Sequence, residues 1–124
     1  MLSIQNINKT IKDKNIVDNI SFEVPSGCIS GLLGPNGAGK TTTFYIIAGL
    51  IKADKGYIFL ADENVSSFAM HKRSKMGIKY LPQEPSIFQN LSVYENLLGL
   101  AELSFKRKED IENFITESID EFNL

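Results

Sequence analysis

A chain of 124 residues is long enough for one small domain, and at this length folding buries roughly two-thirds of the unfolded chain's surface. With 43% hydrophobic residues, 13 basic against 15 acidic side chains and a net charge of -2, the composition excludes a disordered chain and a broad nucleic-acid-binding surface. The single cysteine, Cys28, excludes an internal disulfide, and its apolar neighbours predict a small buried side chain.

Met1 to Asn6 alternates apolar and polar residues, which predicts a strand and not a signal peptide. Leu2 to Ile7 and Ile16 to Val24 read as two half-buried strands in a hairpin-like pair, flanking the polar stretch Lys9 to Asn15. Pro25-Ser26-Gly27 breaks the second strand. Cys28 to Leu33 is then nearly continuous in apolar character, as in a strand buried on both faces. A glycine-rich loop follows, and Lys40 to Leu50 reads as a helix, ended near Asp54-Lys55-Gly56. Tyr57 to Leu60 predicts another strand, Ser67 to Lys75 a short polar helix, and Ile78 to Leu81 a short strand stopped by Pro82. Ser92 is placed to cap a helix through Leu103, with Glu95 at the capping-box position. Ile111, Phe114, Ile115, Ile119 and Phe122 fall on one stripe of a last helix, a pattern that serves core packing. The longest apolar run, Phe44 to Ile51, is far short of the roughly 20 residues a membrane-spanning helix needs, so a cytoplasmic protein is expected. Strands alternating with helices indicate an α/β fold.

The strongest chemical signal is Gly34-Pro35-Asn36-Gly37-Ala38-Gly39-Lys40-Thr41, which fills the pattern G-x-x-x-x-G-K-[ST] between an apolar strand and a helix. Glycines let successive backbone N–H groups turn inward into a concave nest for anions, and the helix N-terminus adds partial positive charge. Lys40 supplies a full charge to the β- and γ-phosphates, and the Thr41 hydroxyl is a ligand for Mg²⁺. The residues expected around the phosphates are therefore Gly34, Asn36, Gly37, Ala38, Gly39, Lys40, Thr41 and Thr42. No N-K-x-D guanine signature follows the loop, which favours ATP.

Two other polar groups compete for a chemical role. Ile58 to Leu60 followed by Ala61-Asp62-Glu63 has the form of an acidic strand end, with Asp62 on Mg²⁺ and Glu63 polarising water; the alternative is a strand entering an acidic turn. His71-Lys72-Arg73-Lys75 is a basic cluster on a helix, read as a solvated face.

Gly31 to Tyr45 resembles the ATP-binding subunits of ABC transporters. So does Gly77-Ile78-Lys79-Tyr80-Leu81-Pro82-Gln83-Glu84-Pro85-Ser86-Ile87-Phe88 with the following Leu91 to Leu97, and the resemblance runs over essentially the whole chain. Among these subunits it is most similar to the ATPases of lipopolysaccharide export. The resemblance implies a P-loop NTPase fold of ABC type, present in part: an antiparallel β-subdomain, the P-loop strand-helix core, and the start of a helical subdomain at about 92–124. It makes Gln83 the Q-loop glutamine, contacting Mg²⁺ and the attacking water. It places Tyr57 to Asp62 in the antiparallel subdomain, which turns Asp62-Glu63 into a decoy. The segment from Glu84 to Leu98 would face a transmembrane transporter subunit, with Phe88 and Tyr94 as candidates to grip it or to pack in the core. Ile11 stands where family members carry an aromatic ring against adenine. The family works as dimers at the inner face of the cytoplasmic membrane. The family's signature motif, acidic strand end, catalytic glutamate and switch histidine do not occur here, so the chain reads as an N-terminal fragment without appreciable ATPase activity of its own. Other cargo classes such as amino-acid uptake, a non-transport ABC ATPase, and an inert nucleotide-binding remnant are the alternatives.

Overall fold

The computed structural model describes all residues from Met1 to Leu124. The order is β1 (Leu2–Ile11), β2 (Lys14–Val24), α1 (Lys40–Ala48), β3 (Lys55–Leu60), β4 (Glu63–Asn64), α2 (Met70–Lys75), α3 (Val93–Ser104) and α4 (Lys108–Phe122). They form two units, Met1–Leu81 and Pro82–Leu124. No helix is long and apolar enough to cross a membrane.

In the first unit the four strands form one antiparallel sheet in the order β2-β1-β3-β4. Its core is Ile4, Ile7, Val17, Ile46, Ile47, Ile58 and Val65, so one face of the sheet packs on α1. The predicted hairpin is longer than its apolar pattern suggested. Ile11 pairs with Lys14 across a two-residue turn, Lys12-Asp13, with both residues at positive φ, the geometry that matches strand twist in tight hairpins. The stretch Lys9 to Asn15 is therefore strand and turn, with backbone pairing overriding its polar composition. Asn6 and Asn19 also take positive φ where the register shifts. Each is held by side-chain bonds: Asn6 Nδ2 donates to Asn19 Oδ1 at 3.0 Å, and Asn19 N–H to Asn8 Oδ1 at 3.0 Å.

Four expectations for this unit are corrected. Cys28 to Leu33 is not a strand: it is irregular, and Ile29 and Leu33 are almost wholly exposed. Cys28 is exposed as well. Ile78 to Leu81 is likewise not a strand, with Leu81 exposed. A strand buried on both faces needs hydrogen-bonded neighbours at its edges, and neither segment pairs with any strand of the sheet. The fourth concerns α1, which stops at Ala48. Gly49 takes the left-handed conformation and its N–H returns to the Tyr45 and Ile46 carbonyls, closing the helix before Leu50.

The second unit is a helical hairpin. Ser92 and Glu95 form the expected capping box: Glu95 N–H donates to Ser92 Oγ, and Ser92 N–H donates to the Glu95 carboxylate at 2.7 Å. The Ser92 N–H, and with it the Ser92 hydroxyl at 2.7 Å, holds the Glu95 carboxyl below its usual range. On α4, Ile115 is buried, Ile111, Phe114 and Ile119 are half-buried, and Phe122 is exposed. The Phe105 and Phe114 rings lie 5.5 Å apart. The apolar stripe thus packs in the helical hairpin, Phe122 excepted.

Candidate functional site: the glycine-rich loop

Residues 34–39 lie between the irregular segment and α1, and the local bonding explains their shape. Ala38 N–H donates to the Pro35 carbonyl at 3.1 Å, closing a turn around Asn36 and Gly37. Gly37 has φ 81° and Gly39 φ 83°. Gly39 is the junction with the sheet: it is buried, and a Cβ there would run into the backbone carbonyl of Ile16 on β2. Glycine is thus required twice over, by the backbone angle and by the close approach. This contact seats the loop on the first hairpin. Ile11, 39% exposed, pairs with Lys14 two residues from Ile16, toward the tip of the same hairpin.

The first backbone bond of α1 runs from Thr43 N–H to the Gly39 carbonyl at 2.9 Å. The N–H groups of Lys40, Thr41 and Thr42 are left without helical acceptors. Gly39 offers no side-chain cap, and no acidic residue stands in the first turn. The other two long helices fill this position, α3 with its capping box and α4 with Glu109 and Asp110 in its first turn. The N-terminus of α1 therefore keeps its partial positive charge for an external anion.

Lys40 Nζ donates to the carbonyls of Gly34 at 2.5 Å and Pro35 at 2.8 Å. These bonds hold the ammonium against the loop and use two of its three donors, so one N–H stays available to an anion. The adjacent threonines differ in what they can do. Thr43 is buried and spends its hydroxyl on the Gly39 carbonyl at 2.9 Å. Thr41 is exposed and its hydroxyl makes no hydrogen bond within the chain, so it is free as a hard oxygen ligand. Thr42 is half-buried. The structure thus brings together Gly34, Asn36, Gly37, Ala38, Gly39, Lys40, Thr41 and Thr42 around one helix end. Gln83 lies in the second unit, exposed in a bend after Pro82. Tyr80, three residues before it, meets Tyr45 of α1 edge-to-face at 5.9 Å, and burial pushes its hydroxyl pKa up.

Asp62 and Glu63 are exposed at the β3–β4 turn, with Ala61 and Asp62 at positive φ. That is the acidic-turn alternative, on an antiparallel hairpin. The structure brings no three His, Cys, Asp or Glu side chains together as a metal cluster.

Two residues with structural importance escaped the sequence reading. Arg73 belongs to the basic cluster expected to be solvated, yet it is 3% exposed. Its guanidinium donates to the carbonyls of Ile46 (2.6 Å) and Ile47 (2.8 Å) at the end of α1, and of Ser66 and Phe68 (both 2.9 Å). Burial lowers its pKa from the ordinary arginine value. His71, Lys72 and Lys75 are exposed as expected. The second residue is Asn96. Its Oδ1 accepts from Phe88 N–H at 2.9 Å, and its Nδ2 donates to the carbonyls of Phe88, Leu91 and Ser92. It shapes the loop that presents Phe88, which is 71% exposed, ahead of Tyr94, which is 50% exposed. The sequence offered no signal for either, because their partners are backbone groups, which residue identity does not mark, and for Arg73 the two at the end of α1 are brought close only by folding.

An uncapped helix N-terminus after a glycine loop that holds a lysine defines a P-loop phosphate-binding domain. The ABC transporter family profile matches residues 17–123, and the chain belongs to that family. It is 45% identical over 127 residues to the lipopolysaccharide export system ATP-binding protein LptB of Escherichia coli (strain K12), covering 99% of this chain and 52% of that protein. Against LptB of Haemophilus influenzae the identity is 45%, over 100% of this chain and 52% of the relative. The chain thus spans about half the length of these curated relatives. A nucleotide-free ATP-binding cassette from an ABC transporter superposes with a TM-score of 0.74 at 26% identity, over 90% of this chain and 45% of that one. A dimeric, post-hydrolysis cassette bound to ADP and Pi gives a TM-score of 0.81 over 97% and 56% of the two chains; at 20% identity it supports the fold alone.

Proposed function

We propose that this chain is the phosphate-binding part of an ATP-binding subunit for lipopolysaccharide export. The observation that carries the reading is the α1 N-terminus, which has neither a side-chain cap nor an acidic first turn and follows a loop that holds the Lys40 ammonium on the Gly34 and Pro35 carbonyls. ATP would lie with its phosphates over Gly34 to Thr42. Lys40 would offer its remaining N–H to the β- and γ-phosphates, Thr41 would offer an oxygen to Mg²⁺, and Gln83 would supply a second oxygen and orient the attacking water. Mg²⁺ suits this donor set, since it is commonly held by few protein oxygens together with phosphates and water. Ile11, on the hairpin that seats the loop, supplies an apolar surface for adenine.

The cargo is inferred from the LptB relatives, which match at 45% identity. In the whole protein, ATP binding would close a homodimer and hydrolysis would reopen it, driving a transmembrane subunit at the inner face of the cytoplasmic membrane. The exposed apolar side chains after Gln83, among them Ile87, Phe88 and Tyr94, are the surface offered to that subunit.

Titration of a fluorescent ATP analogue with Mg²⁺ tests the phosphate reading. Lys40→Ala should abolish saturable binding with the circular dichroism unchanged; equal binding by the variant would refute the site. Suppressing loss of the lipopolysaccharide-export ATPase in a conditional strain with the full-length protein, but not with its Lys40→Ala variant, tests the cargo.

A further inference from the structure

We infer that Asn36 is a self-modification site, where conversion of the side-chain amide to a carboxylate disables the phosphate loop. The chain has ten asparagines, and Asn36 alone is followed by glycine; the others precede Ile, Lys, Val, Leu or Phe. Asparagine is thermolabile, and its main intramolecular reaction is attack by the next residue's backbone nitrogen on the side-chain carbonyl carbon, which a bulky following side chain obstructs. At Asn36 that obstruction is missing. A Cβ on Gly37 would meet nothing within 4 Å, and both residues are exposed. The attacking nitrogen is free as well: the turn is closed by Ala38 N–H on the Pro35 carbonyl, and the Gly37 N–H makes no hydrogen bond in the chain. Asn6, Asn8, Asn19, Asn64 and Asn96 all engage their side chains in hydrogen bonds, whereas Asn36 does not.

The step balances with water as the only co-reactant. Gly37 N loses its proton and bonds to Cγ of Asn36; the C–N bond of the amide breaks and ammonia departs carrying that proton. Water then opens the five-membered imide at either carbonyl, leaving aspartate or its backbone-shifted isomer at position 36. Either product places a full negative charge beside the N–H groups and lysine that attract phosphate, and the isomer also lengthens the backbone of the turn. The functional consequence rests on the phosphate reading above; the modification itself does not. Phosphates seated on the loop would cover the turn, so bound nucleotide should slow the reaction.

The experiment is to age the chain in warm, mildly alkaline buffer with and without Mg²⁺-ATP, then map the peptides by mass spectrometry and measure binding of the ATP analogue. Acid should accumulate at position 36 before any other asparagine, as a mixture of the two isomers, and more slowly with ATP. Binding should be lost in proportion to the converted fraction. Asn36→Gln, whose ring closure would need a six-membered imide, should stay unconverted under the same treatment. Conversion at Asn36 no faster than at the other asparagines would overturn the inference. Full binding by the converted chain would overturn its functional half. Conversion in a chain whose unmodified form binds no ATP would instead condemn the phosphate reading and leave the modification standing.

Discussion

Arg73 should be among the most sensitive positions of the first unit, although it belongs to a basic cluster and touches no site residue. One guanidinium holds two carbonyls at the end of α1 and two from residues 66 and 68, at 2.6 to 2.9 Å. Hydrogen bonds from a charged donor contribute about 1.5–3 kcal/mol each. Their plain sum overstates the loss, because burying the cation has its own cost and some freed carbonyls regain water. A buried carbonyl left unpaired costs about 1–3 kcal/mol, so with some of the four regaining water the expected loss for Arg73→Ala is about 3–5 kcal/mol. Against a total stability of about 5–15 kcal/mol it is a large fraction. Arg73→Met keeps much of the volume and removes every donor, so it should fall within about 1 kcal/mol of the alanine variant. Arg73→Lys keeps the charge but concentrates its donors at one point, and should lose roughly half as much. Urea unfolding followed by circular dichroism reads all three at a common slope. A loss below about 1 kcal/mol for Arg73→Met would show that the carbonyls are indifferent to the guanidinium and refute the reasoning.

The remaining predictions concern the loop, the hairpin and the exposed segment. Gly37→Ala and Gly39→Ala both pay about 1–2 kcal/mol for a left-handed backbone. Only Gly39→Ala also meets the Ile16 carbonyl, so its melting temperature should fall clearly further; equal shifts would mean that the contact with β2 yields freely. Asp54 accepts from Lys9 Nζ at 2.8 Å and Thr10 N–H at 2.7 Å, and these bonds lower its pKa, the Lys9 bond foremost. A depressed carboxylate stabilises the fold above its unfolded pKa and loses that contribution as pH falls through the lower folded value. Asp54→Asn should therefore melt below the parent near neutrality, with the gap closing in acid; a gap that widens in acid would contradict the sign. Ile29→Lys and Leu33→Lys should change stability by less than about 0.5 kcal/mol in this chain, as exposed positions do. A loss of several kcal/mol on urea unfolding would restore the buried strand.

The amino-acid sequence by itself determined those parts whose hydrogen bonds close within a few residues. The phosphate loop is one, since Gly37, Gly39, Lys40 and Thr41 act through their own backbone and the first turn of α1. The Ser92–Glu95 capping box is another, with both partners three residues apart. The α4 stripe was legible because its spacing alone decides which face turns to α3, and the strand pair because alternation marks one face for the core. Only the tertiary structure decided where partners come from far along the chain. Gly39 must be glycine partly because Ile16 approaches it, and Arg73 is buried because α1 ends with carbonyls that face it. Apolar character promised strands at 28–33 and 78–81, but burial requires a neighbour to pair with, and in this chain neither segment pairs with β2, β1, β3 or β4. Composition states what a segment could bury; long-range hydrogen bonding and packing settle whether it does.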